Sequence, residues 1–164
     1  MKAESSIADP PARPLPADGE LVLTRTFAAP PARVFAAWTE PEQFARWFGP
    51  HDCTVLVRTM DVRPGGTLHF CHRFAGEDVW VAGVYREVDV PRRIVFTTHF
   101  SDPSGGRVER PGYPSGDMGV TVTFTAREGG TEMVMRQAGL EVDRGEVAGW
   151  AETFDRLGEH LATR

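Results

Sequence analysis

Five histidines, two cysteines and a few serines are the residues of this 164-residue chain best suited to chemistry. Their spacing decides which chemistry is open to them. His69 and His72 lie three apart in an extended run, so they point to opposite faces and cannot chelate one ion. His72 and His99 can both face inward and offer a polar anchor to a ligand, but no Asp, Glu or Cys completes a metal set with them. His51-Asp52 follows a Gly-Pro break, and no HExxH-type spacing occurs. The serines fall in the N-terminal tail and in segment 101–117, without the GxSxG elbow of a nucleophilic serine. Gly65-Gly66 reads as a hairpin turn, since neither GxxxxGK[ST] nor GxGxxG surrounds it. Cys53 and Cys71 fall in neighbouring strands with no CxxC, and without an export signal they are expected to be free thiols. The expectation is therefore no catalytic set, no metal and no cofactor. Arg25 shares parity with Leu21, Leu23 and Phe27. If it points inward, it must find either a carboxylate of this protein or an anionic ligand.

The elements that must position these residues are legible from periodicity. Residues 21–27 form an apolar, β-branched run and read as a first strand. Pro30-Pro31 stops it and suits a helix start. Val34, Phe35, Ala37 and Trp38 then make one apolar stripe. Pro41 opens a second short helix with Phe44, Trp47 and Phe48 at helical spacing, ended by Gly49-Pro50. Six strands follow, at 53–60, 67–74, 79–88, 93–100, 118–126 and 131–138, separated by turn signals that favour antiparallel neighbours. Met118, Val120, Val122 and Phe124 alternate with Gly119, Thr121, Thr123 and Thr125, so one face of that strand is buried. After Gly139 the period changes. Val147, Trp150, Ala151, Phe154, Leu157 and Leu161 recur at helical spacing, with Glu146, Glu152, Asp155, Arg156 and Glu159 opposite. A sheet with one apolar face must bury it, and this last helix is the only element long enough to cover it. The fold class is thus α+β: a curved antiparallel sheet of about seven strands around a long C-terminal helix, with two short N-terminal helices.

Composition narrows the partners. An apolar fraction of 41% and a charged fraction of 25% are those of an ordinary globular protein. A net charge of −5 without a dense basic block argues against nucleic acid and anionic membranes. No run approaches the ~18 apolar residues of a spanning helix. Residues 1–18 are Pro/Ala-rich without an apolar signal core, and read as a disordered tail before a domain at 19–164. A cytoplasmic location is expected.

Seven stretches together resemble the activator of heat-shock-protein-90 ATPase homologue family, part of the START-like (SRPBCC) helix-grip superfamily. They are Arg25-Thr-Phe-Ala-Ala-Pro-Pro-Ala-Arg-Val-Phe-Ala-Ala-Trp-Thr-Glu-Pro41, Arg46-Trp-Phe-Gly-Pro50, Asp61-Val-Arg-Pro-Gly-Gly66, Tyr85-Arg-Glu-Val-Asp-Val-Pro91, Val120-Thr-Val-Thr-Phe124, Gly130-Thr131 and Gly149-Trp150. They run in the family's order over about residues 20 to 162. The resemblance implies a helix-grip fold with a pocket between sheet and helix, but no single reaction. The family's eukaryotic co-chaperones carry a further N-terminal chaperone-binding domain. Here only the short tail precedes the first strand, so a chaperone partner is not the leading expectation.

The pocket wall is expected to combine inward strand and helix positions. The aromatic candidates are Trp47, Phe48, Phe70, Trp80, Phe124, Trp150 and Phe154. His72, His99, Met133, Met135 and Gln137 add polar and adaptable groups. Alternate turns share an end of the sheet, which puts 75–78, 101–117 and 139–144 together with the start of the last helix. Segment 101–117, longer than a hairpin needs, reads as a lid with Gly105-Gly106 and Gly112 as hinges. Three functions compete. Binding of a small apolar or aromatic molecule leads. A chaperone- or stress-related interaction protein predicts an exposed apolar patch. A helix-grip enzyme predicts convergent titratable groups on the pocket floor. A homodimer is compatible with all three, though no interface is legible.

Overall fold

The computed structural model describes residues 20–111, 116–138 and 144–163. The Pro-rich tail, Gly112 and the 139–143 connection lie outside the described residues. The element order is β1 (Leu21–Phe27), α1 (Pro31–Thr39), α2 (Pro41–Trp47), β2 (Cys53–Met60), β3 (Thr67–Phe74), β4 (Glu77–Asp89), β5 (Arg93–Ser101), β6 (Met118–Arg127), β7 (Gly130–Ala138) and α3 (Arg144–Ala162).

All seven strands form one antiparallel sheet in the order β1-β7-β6-β5-β4-β3-β2. The first strand pairs with the last, Leu23 opposite Met135, so β1 and β2 occupy the two edges. The chain must cross from one edge to the other between them, and α1 and α2 make that crossing. Pro31 and Pro41 open these helices at positions where a missing N–H costs nothing. The sheet curls into a half-barrel. Irregular register between Val57 and Thr59 in β2, and between Tyr85 and Glu87 in β4, adds local bend. Gly83 lets β5 approach closely, because any side chain there would collide with the Thr97 carbonyl oxygen of that strand.

α3 lies in the concave face and buries Phe154, Leu157 and Leu161. One half of the space between sheet and helix is filled. Phe35 meets Phe124 edge-on at 5.4 Å, and Trp38 packs against Trp47, Phe48, Phe96 and Phe154. The indole N–H groups here are satisfied, Trp38 donating to Met133 Sδ at 3.3 Å and Trp47 to the Ala37 carbonyl at 2.9 Å. No helix of the described residues is long and apolar enough to cross a membrane.

Candidate functional site

The other half of the same interface is hollow. A cavity of about 300 Å³, partly open to solvent, lies where β3 and β5 end and β6 begins. Its sheet wall is Phe70, His72 and Phe74 of β3, Val79 and Val81 of β4, Phe96, Thr98 and Phe100 of β5, Met118 and Val120 of β6, and Gln137 of β7. α3 contributes Gly149, Trp150 and Thr153, and the connection after α2 contributes Phe48, Gly49 and Pro50. Arg110 completes the rim. The wall is thus a set of aromatic faces interrupted by a few polar groups, as in sites for small organic molecules.

Phe48 organises one side. It stacks on the His72 ring with centroids 5.6 Å apart and meets Phe70 and Trp150 edge-on. Gly49 follows with φ of 95°, and a side chain there would run into Cys53 Sγ and the His72 imidazole. Arg156 of α3 holds this connection against the helix. Its Nη1 donates to the carbonyls of Gly49, Pro50 and Cys53 at 3.0, 2.9 and 3.4 Å, and its Nη2 to that of Arg46 at 3.0 Å. Trp150 Nε1 in turn donates to Gln137 Oε1 at 2.8 Å, which ties the first turns of α3 to β7.

His72 Nδ1 lies 3.7 Å from Cys53 Sγ. Burial, with the Arg156 guanidinium nearby, lowers the His72 pKa from 6.5 to about 4. Burial raises the thiol pKa of both Cys53 and Cys71, so neither is a ready thiolate nucleophile at neutral pH. The neutral imidazole has a consequence for stability. Below pH 6.5 the unfolded chain takes up a proton that folded His72 refuses until about pH 4. The contribution is therefore complete above pH 6.5 and is lost as pH falls through that window, by up to about 3 kcal/mol. Urea midpoints measured from pH 7 to 4 should fall more steeply for the native sequence than for His72→Gln, and parallel curves would refute the assignment. His160, also depressed by burial and shared by both proteins, cancels in that comparison.

Among the expected wall residues, the structure brings Phe48, Phe70, His72, Gln137 and Trp150 to the cavity. Trp47, Phe124, Met133, Met135 and Phe154 lie in the packed core beside it. Trp80 and His99 are corrected: they occupy the outer face of the sheet. Trp80 pairs with Cys71, and His99 with Ala82, while the inward set pairs as His72 with Val79 and Phe70 with Val81. For Trp80 the reason is that β4 is buried on both faces from Val79 to Gly83, so alternation carries no parity signal there. His99 sits in β5, where Ile94, Phe96 and Thr98 alternate as the buried set and His99 has the opposite parity. Trp80 is instead covered by the Arg58 guanidinium at 4.7 Å and the His69 ring at 5.0 Å.

Of segment 101–117, the first residues, 101–107, do not form the expected lid, while Arg110 lines the cavity and 112–115 lie outside the described residues. Asp102 Oδ1 accepts hydrogen bonds from the Ser104 and Gly106 amides, closing a tight turn with Gly105 at φ 100°. Ser101 bridges back to Arg107, and Arg58 donates to the Pro103 carbonyl at 2.9 Å. This hairpin folds against the outer face rather than over the cavity, and the chain returns to the rim at Arg110. Arg25 takes the internal partner, donating to Asp155 Oδ1 at 2.9 Å and to the Ala151 carbonyl.

Sequence reasoning missed Phe74, Val79, Val81, Phe96, Thr98, Phe100, Arg110, Met118, Val120 and Thr153. Met118 and Val120 share the alternation of Phe124, and that signal was sufficient to find them. Phe96, Thr98 and Phe100 needed the cross-strand pairing of Phe96 with Val120, which the sequence of β5 does not announce.

A family model described as activator of Hsp90 ATPase homolog 1-like protein matches residues 28–162. Among solved structures, a protein from Chromobacterium violaceum is 27% identical, with a TM-score of 0.76 over 87% of this chain and 96% of that one. A protein from Arthrobacter aurescens superposes with a TM-score of 0.82 at 20% identity, covering 93% of this chain and 91% of that one. The AHSA1 protein from Silicibacter pomeroyi gives 0.70 at 21% identity, with 88% and 98% covered. Among curated proteins there is no match.

Proposed function

Because the chain belongs to the activator of Hsp90 ATPase homolog 1-like family, whose helix-grip fold it shares, we propose that it binds one small, largely apolar molecule in the cavity between the sheet and α3. The observation that carries this reading is the contrast between the two halves of one interface. Around Phe35, Trp38 and Phe124 the rings interdigitate as protein interiors do. Around Phe70, Phe96 and Trp150 a space of about 300 Å³ is left beside aromatic faces. A guest there would supply the dispersion contacts that the wall now lacks. The large exposed apolar side chains of the described residues are Leu56 in β2, Val90 in the turn between β4 and β5, and Val108 in the segment after β5, and they lend no weight to a chaperone-docking role.

The test is a titration with N-phenyl-1-naphthylamine, a neutral fluorophore excited directly at wavelengths where tryptophan does not absorb. Saturation at one dye per chain is expected. Val120→Trp, which fills the cavity from the sheet side, should weaken binding about 100-fold or more while retaining cooperative melting. If that variant fails to fold, Val120→Phe provides the smaller fill. Undiminished binding in a folded variant would place the dye elsewhere and refute the proposal.

A further inference from the structure

Three polar groups of the cavity wall keep hydrogen-bonding capacity that none of the described residues takes up. Gln137 is 7% exposed and Thr98 6%. The indole N–H of Trp150 can only donate, so its bond to Gln137 Oε1 at 2.8 Å fixes the orientation of that carboxamide. The Gln137 NH2 group then has no protein acceptor among the described residues, and neither does the Thr98 hydroxyl. On the far wall, Cys53 holds its proton because burial raises its pKa. Its S–H, 3.7 Å from His72 Nδ1, favours the tautomer with hydrogen on Nε2, which has no partner among the described residues. Gln137 and His72 are thereby set as donors, and the Thr98 hydroxyl can act as one. The charges near the cavity are already engaged. Arg110 pairs with Glu77 at 3.0 Å and covers the Phe100 ring, and Arg156 is spent on backbone carbonyls.

Resting on the reading of the cavity as a binding site, we infer that it selects an uncharged ring compound carrying acceptor oxygens of the carbonyl type, received by Thr98, Gln137 and His72. Buried donors without partners penalise a pure hydrocarbon, since filling the cavity then removes their access to water. A carboxylate would have to displace Glu77 from Arg110 or enter without a free cation.

Three bicyclic probes of nearly equal shape separate these cases: 2-acetylnaphthalene, 2-isopropenylnaphthalene and 2-naphthoate, titrated by calorimetry at pH 7.5. The ketone should bind about 10-fold tighter than the hydrocarbon, with the carboxylate weakest. Thr98→Val, nearly isosteric, should bring the ketone-to-hydrocarbon ratio toward one. So should Gln137→Glu, which keeps an acceptor for Trp150 and removes the NH2 donors. Thr98→Val alone suffices if the second variant does not fold. Equal binding of ketone and hydrocarbon would overturn this inference while leaving the cavity reading intact. Tightest binding of the naphthoate would overturn it in favour of Arg110. Failure of all three probes to bind would remove the cavity reading as well.

Discussion

Leu157→Asp should leave no cooperatively folded protein at 25 °C. Leu157 is completely buried, on the stripe of α3 that also carries Phe154 and Leu161. Truncating a fully buried leucine costs about 2–5 kcal/mol. Placing a carboxyl group in the same apolar site adds several kcal/mol more, whether it stays charged or is forced to take up a proton. The total rivals the roughly 5–15 kcal/mol that holds a domain of this kind together. Circular dichroism during heating should show no sigmoidal transition. Glu159→Ala, on the exposed side of the same helix, should melt close to the native protein, because surface changes away from special features stay within about 0.5 kcal/mol. A cooperative Leu157→Asp melt near that of the native chain would mean that α3 is not what covers the sheet.

Arg156→Met is expected to cost about 3 kcal/mol in urea unfolding, an unusually large effect for a residue on the polar side of a helix. Methionine keeps much of the aliphatic bulk but none of the donors. Four carbonyls, those of Arg46, Gly49, Pro50 and Cys53, lose a charged partner together. Bonds to charged groups each contribute about 1.5–3 kcal/mol. Nη1 has only two protons for three of these acceptors, and part of the group is wet, so the sum falls well below four full bonds. The same substitution removes the positive charge that helps to depress the His72 pKa, so that imidazole should titrate at a higher pH. Native-like stability together with an unmoved His72 titration would show that the connection after α2 does not depend on this arginine.

Arg156 also marks where sequence reading stopped. Its position opposite the apolar stripe makes it look like a solvated residue. Its role depends on the Arg46–Cys53 segment, more than a hundred positions away, arriving beside α3. The elements themselves were legible because their signals are local: proline at both helix starts, glycine at the tight turns, and a change from period two to helical spacing after Gly139. The strand and helix limits fell within a few residues for that reason. The helix-grip class followed from having a single long helix to cover one apolar face.

The division of the concave face into packed and hollow halves was not legible. Phe124, Met133 and Phe154 are the same kinds of residue as Phe70, Phe96 and Trp150. The three-dimensional course of α1 fills the first group, because it sets Phe35 against Phe124 and Trp38 against Met133 and Phe154. Trp80 shows the complementary problem. A large aromatic residue in a strand looks like a core or pocket residue, yet here it is buried on the convex side under Arg58 and His69. Long arginine stems can cover apolar surface while the charged head stays wet, so burial of Trp80 did not require the inner face.

The most direct test of the account is where a bound guest sits. In a protein saturated with N-phenyl-1-naphthylamine and labelled at its methyl groups, intermolecular NOEs should connect the dye to Val81, Thr98, Met118 and Val120, four methyl-bearing residues of the cavity wall. NOEs confined to Leu56, Val90 or Val108 on the exterior, with none to the wall, would contradict it.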